Sequence, residues 1–218
     1  MSAPASPGPS RSSGSPEPLT GILLVGGAST RFGSPKALAL LGAGGPMGET
    51  LAGRARRTLA AACDEVLAVG RAADGMALGF PLVEDAAAVR APIAWVVAGL
   101  RAARHDLCVV LPVDCPLVDV PLLHALAAAC AAADAAHPPS GPLPGAYRRA
   151  ALPALERALA AGSLSLWRVL DGLTVSIVEV DEAKLADVDV PADLERLRSL
   201  AVGSTGSAGA GAGAGAPG

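Results

Sequence analysis

Aromatic side chains are scarce in this chain: Phe, Trp and Tyr together make up 2% of its 218 residues. Any core it builds must therefore rely on Leu, Val and Ala. Cysteine is limited to Cys63, Cys108, Cys115 and Cys130. These show no C-x-x-C spacing and three of them sit inside apolar runs, which points to reduced, buried thiols in a cytoplasmic protein. No stretch of 18 apolar residues is free of Pro, His and charge, so no membrane span is expected. The N-terminus lacks a basic start followed by an apolar stretch, which argues against a secretory signal. Positive charge is not in excess: the net charge is −3 and the pI about 5.6, so nothing indicates a nucleic-acid surface. No internal repeat is evident in the region expected to fold.

What is present falls into three parts. Residues 1–18 are almost entirely Ser, Pro, Gly and Ala, and residues 203–218 repeat Gly-Ala and Ser-Gly. Neither end has bulky side chains to offset the entropy of ordering, so both are expected to be disordered tails flanking one folded unit over residues 19–202. Within that unit, apolar runs at 21–25, 65–69, 80–83, 107–111 and 174–180 read as strands. Several are apolar throughout, as in strands covered on both faces. Longer Ala/Leu-rich segments at 48–62, 91–104, 120–133, 150–161, 163–171 and 191–200 read as helices. Pro121 and Pro191 fit first-turn positions, and Asp193 adds a favourable charge at the last N-terminus. This alternation predicts an α/β fold: a mostly parallel sheet with helices on both faces. In such folds ligands gather beyond the carboxyl ends of strands, where the strand order reverses.

One such end carries an unusual loop. Leu24-Val25 runs into Gly26-Gly27, then Arg31, Gly33, Pro35 and Lys36. Glycines let backbone N–H groups approach an anion, and two cations add charge that the backbone alone cannot supply. The Walker pattern fails, because Gly33 is followed by Ser34-Pro35-Lys36, and G-x-G-x-x-G fails because Gly26 and Gly27 are adjacent. The loop is therefore a phosphate cradle of another kind, or a plain connection with two solvated cations.

The segment L-x-G-G-x-S-x-R-x-G-x-x-K-A-L resembles the signature loop of the molybdenum cofactor guanylyltransferases, members of a wider nucleotidyltransferase group with a Rossmann-like three-layer fold. Further matches follow in order: Val83-Glu84-Asp85 resembles the segment whose aspartate helps bind the guanine nucleotide. Leu111-Pro112-Val113-Asp114-Cys115-Pro116 resembles the block that supplies a metal-binding aspartate, and 186–194 the closing N-x-N-T-P-E-D-L block. The resemblance covers about residues 20–200. It implies Mg²⁺-dependent transfer of GMP from GTP to a molybdopterin-type cofactor with release of pyrophosphate, and protein partners that make or deliver that cofactor. Carried onto this chain, it implies catalytic roles for Arg31, Lys36 and Asp114. Nucleotide contacts would come from Leu24, Val25, Gly26, Gly27, Gly33, Lys36, Asp85 and Asp114, and metal ligation from Asp114 with Asp189 or Asp187.

Each residue also has a plainer reading. Asp114 can cap a turn, Asp85 can be an exposed loop acid, and Asp189 can cap the last helix. Trp95 and Trp167 read as core; His105, His124 and His137 share no ligand spacing. Arg148-Arg149 reads as a solvated turn, with contact to an anionic acceptor as the alternative. Three departures from the family pattern stand out. Ala91-Pro92-Ile93-Ala94-Trp95 replaces a glycine-rich G-P-L-A-G turn, which should narrow the turn or close a contact. Asp187 and Asp189 stand where asparagines are usual, and 42–48 is a longer link. The loop reads triphosphate and not base, so transfer from CTP, transfer to a sugar phosphate, or non-catalytic cofactor delivery are the competing functions.

Overall fold

The computed structural model describes residues 17–26, 35–41, 49–71, 74, 77–85 and 89–205. The expected tails, and the link at 42–48, lie outside them apart from their inner margins. Seven strands form one sheet in the order β3-β2-β1-β4-β6-β5-β7. They are β1 Leu19–Leu24, β2 Glu65–Gly70, β3 Leu82–Glu84, β4 Leu107–Pro112, β5 Ala135–His137, β6 Gly145–Arg148 and β7 Val175–Ile177. All pairings are parallel except those of β6, which runs against both β4 and β5. The helices are α1 Leu51–Ala62, α2 Pro92–Ala102, α3 Val120–Ala129, α4 Leu152–Ala160, α5 Leu166–Leu170 and α6 Pro191–Thr205.

Side chains along the central strands alternate between two cores, which makes the domain three-layered. Leu19 and Leu23 of β1, with Leu107, Val109 and Leu111 of β4, face Leu51 and Leu59 of α1, Leu123 and Leu126 of α3 and Leu194 of α6. Ile22 and Leu24, with Cys108 and Val110, face Ile93, Val96 and Leu100 of α2, Leu155 of α4 and Leu166 of α5. Each such side chain stabilises by about 1.5–3 kcal/mol when fully buried, so aliphatic residues suffice without aromatic bulk. Tyr147 is the one fully buried aromatic side chain among the described residues, and its hydroxyl donates to the Pro142 carbonyl at 2.7 Å. All four cysteines are free, and burial pushes the thiols of Cys63 and Cys108 up to about 12.

The sheet and its helices match the α/β expectation, with four local differences. The helix expected over 120–133 stops at Ala129, and a short 3₁₀ turn follows at Cys130–Ala132. β5 and β6 were not legible as strands. They are short and alanine-rich, and pairing with their neighbours, not β propensity, makes them extended. Arg148 is neither a solvated turn residue nor an anion contact. It ends β6 and reaches Glu17 at 2.6 Å, Asp106 at 2.8 Å and the Cys130 carbonyl at 3.2 Å. Trp167 is also not core: it is 49% exposed, edge-on to the buried His137 ring.

α2 approaches the sheet closely at Gly99, where an added Cβ would stand 2.6 Å from Ile22 Cγ2. We expect Gly99→Ala to lower stability by about 1–3 kcal/mol through overpacking, despite alanine's better helix propensity. Chemical denaturation would measure this, and the loss should shrink in an Ile22→Ala background.

Candidate active site

The strand order reverses between β1 and β4, because the chain moves outward to β2 and β3 and then returns to the other side of β1. The crevice beyond these two carboxyl ends is therefore where the fold gathers ligands. The two ends are tied together by Val113 N–H, which donates to the Leu24 carbonyl at 3.0 Å, while Val25 N–H ties β1 to β2 through the Val69 carbonyl at 3.0 Å. β4 then turns sharply, with Cys115 N–H donating back to the Pro112 carbonyl at 3.3 Å. That turn lifts Asp114 to the crevice. A third segment joins it, since Val188 N–H donates to the Asp114 carbonyl at 2.8 Å and the Val188 side chain is fully buried.

Lys36, in a single 3₁₀ turn at Lys36–Leu38, projects into this junction. Its Nζ donates to Asp114 Oδ2 at 3.3 Å and to Asp189 Oδ1 at 3.0 Å. Burial pulls the lysine pKa down, but the hydrogen bond it donates to Asp189 and the field of Asp114 outweigh this and hold the pKa above its usual value. Asp187 lies nearby. Burial, then the charges of Asp189 and Asp114, raise its pKa. The helix-cap reading of Asp189 fails: Asp193 fills that role, its Oδ2 accepting the N–H groups of Asp189 and Val190 at 2.8 Å each. This leaves the Asp189 carboxylate free to face Lys36.

A cavity of about 390 Å³ opens here, lined by Leu24, Gly26, Trp95, Asp114, Leu143 and Asp187, among others. Of the residues singled out from sequence, Leu24, Gly26, Lys36, Asp114 and Asp189 converge on this region. The Val25 side chain turns into the core. Asp85 is not exposed and does not line this cavity. Its buried carboxylate pairs with Arg71 at 3.1 Å beside a separate hollow near α2 and α4, so contact with a base would have to be shared with Arg71. Gly27, Arg31 and Gly33 lie outside the described residues.

Sequence reasoning missed Trp95 as a cavity residue. The 91–95 segment is not a turn but the cap and first turn of α2, and its tryptophan closes a contact instead. A Cβ on Gly26 would lie 2.7 Å from Trp95 Cε2. The replaced glycine at position 95 was the available signal.

Among the described residues no group of three or more His, Cys, Asp or Glu is arranged to hold a metal ion. Two carboxylates within reach of one ammonium nevertheless suit a hard cation that takes its other ligands from phosphate and water, as Mg²⁺ does. No described helix is long and apolar enough to cross a membrane.

A lysine held between carboxylates at the switch point of a Rossmann-like sheet is where such a fold places a ligand. Residues 21–178 match the model of the MobA-like NTP transferase domain. A molybdenum cofactor guanylyltransferase from Pseudomonas putida is 35% identical over 188 residues, spanning 82% of this chain and 96% of that protein. A probable molybdenum cofactor guanylyltransferase from Chloroflexus aggregans is 36% identical over 157 residues, spanning 68% of this chain and 74% of that protein. The crystal structure of molybdopterin-guanine dinucleotide biosynthesis protein A from Archaeoglobus fulgidus shares the fold, with a TM-score of 0.71 at 24% identity over 84% of this chain and 99% of that one. The chain belongs to the MobA-like NTP transferase family and is a nucleotidyltransferase. Asp187 and Asp189 lie beyond the segment that the family model matches.

The Gly26–Trp95 contact yields a direct prediction. Gly26→Ala should displace the indole, destabilise the protein by about 1–3 kcal/mol and shift tryptophan emission to the red. Trp95→Ala in the same chain should recover most of the lost stability, as read from thermal unfolding.

Proposed function

We propose that this enzyme transfers GMP from GTP to the phosphate of a molybdopterin-type acceptor, releasing pyrophosphate, with Mg²⁺ as its metal. The observation that carries the proposal is Lys36 held between Asp114 and Asp189 at the β1/β4 switch point, directly beyond the glycine-rich segment. The guanylyltransferase names of the relatives from Pseudomonas putida and Chloroflexus aggregans support the choice of nucleotide and acceptor.

In this reaction an acceptor phosphate oxygen attacks the α-phosphorus of GTP. A new P–O bond forms, the bond to the bridging oxygen breaks, and its electron pair leaves on pyrophosphate. Both reactants are anions, so neutralising and aligning them matters more than covalent catalysis. Lys36 stays cationic because its two carboxylates raise its pKa, and it stabilises the charge that develops on the leaving group. Arg31 and the backbone N–H groups of Gly26, Gly27 and Gly33 hold the triphosphate. Asp114 and Asp189 would hold Mg²⁺, which when bound supplies charge neutralisation at the phosphates. Asp85, anchored by Arg71, serves the nucleotide end.

Pyrophosphate release from each of the four NTPs, with and without molybdopterin and Mg²⁺, tests the proposal. Release with GTP only in the presence of acceptor and Mg²⁺ is expected. Release with CTP instead would reassign the nucleotide, and no release with any NTP would remove the catalytic reading in favour of cofactor delivery. Lys36→Ala and Asp114→Ala should each lower turnover at least ~100-fold, the scale on which a single electrostatic stabiliser acts.

A further inference from the structure

Trp95 is oddly placed for a structural residue. Its helical neighbours Ile93, Ala94, Val96 and Val97 are all buried, whereas the Trp95 ring is only half-buried and forms part of the crevice wall. The indole stands over Gly26, where an added Cβ would lie 2.7 Å from its Cε2, in a chain with two tryptophans. Beside the indole the wall is apolar, from Pro92, Leu143 and Leu185, with Ser140 as a polar group and the carboxylates of Asp114 and Asp187 at the reactive end. At about 390 Å³ the cavity is near the lower limit of small-molecule pockets and has room for one ring system rather than two substrates.

We infer that Trp95 is a specificity-determining residue whose indole forms a stacking wall for the flat, fused-ring heterocycle of one substrate, with Asp114 near that substrate's reacting phosphate. An indole beside a planar nitrogen heterocycle gains stacking and buries its exposed apolar face at once. Two sources share this chemistry within the transfer reaction on which the inference rests: the purine of the nucleotide and the pterin of the acceptor.

The test uses the full chain carrying Trp167→Phe, which leaves Trp95 as the single tryptophan and lies outside the site. GTP, a pterin monophosphate and inorganic triphosphate are titrated in turn. Saturable quenching by GTP or by the pterin, but not by triphosphate, is expected, and identifies the source. For the quenching substrate, Trp95→Leu should raise KM by ~10-fold while Trp95→Phe stays within ~3-fold, because any aromatic face retains stacking. Equal effects of Leu and Phe, quenching by neither ring, or equal quenching by triphosphate would overturn the inference. Pyrophosphate release from the unmodified enzyme with no such quenching would overturn it alone, whereas quenching without release from any NTP would count against the transfer reaction and leave the ring contact standing.

Discussion

Lys36 meets two carboxylates from segments 78 and 153 residues further along the chain. The other features of the site depend on that convergence. A lysine side chain only 15% exposed would shed its proton more easily than a free one, and such a group makes a poor anion clamp. The two carboxylates reverse that tendency. They in turn offer more negative charge than one ammonium neutralises, which suits a second cation.

Holding the three groups in register is the work of the sheet and of one strap. Parallel pairing of β1 with β4 brings their carboxyl ends level, so Val113 can donate to Leu24 and the next residue, Asp114, clears the sheet. The strap at 181–190 is fastened at several points: Lys184 to Asp119 at 2.6 Å, Val188 in the core and through its N–H to Asp114, and Asp193 on the N–H groups of Asp189 and Val190. Asp187 and Asp189, where asparagines were expected, put two negative charges on this strap. Asp189 is used against Lys36, and Asp187 sits in the field of the other two carboxylates.

Much of this was legible in particular residues. The unbroken apolar runs at β1 and β4 announced strands covered on both faces. Glycines followed by Lys36, and Pro112-Val113-Asp114, marked the crevice ends, since few other needs combine small residues, a cation and a carboxylate just past a strand. Other features were not legible. Ala135–His137 and Gly145–Arg148 have little strand propensity and become strands by pairing. Trp95 and Trp167 sit in similar helical contexts, yet one lines a cavity and the other lies edge-on to His137 at the surface. Arg148 read as a solvated turn residue, and only the fold brings its acidic partners, Glu17 and Asp106, to it from distant segments.

By itself the sequence determined the layers, the place of a glycine-rich segment just past β1, and Lys36 and Asp114 as candidates beside it. These follow from local periodicity and short-range spacing, which a single segment carries within itself. Only the tertiary structure decided that Asp189 pairs with Lys36 and not with its own helix, that Asp85 answers to Arg71, and that Trp95 stands over Gly26. Each of those choices is a competition among partners far apart in the chain, settled by which strand ends the sheet brings level and which charges burial forces together.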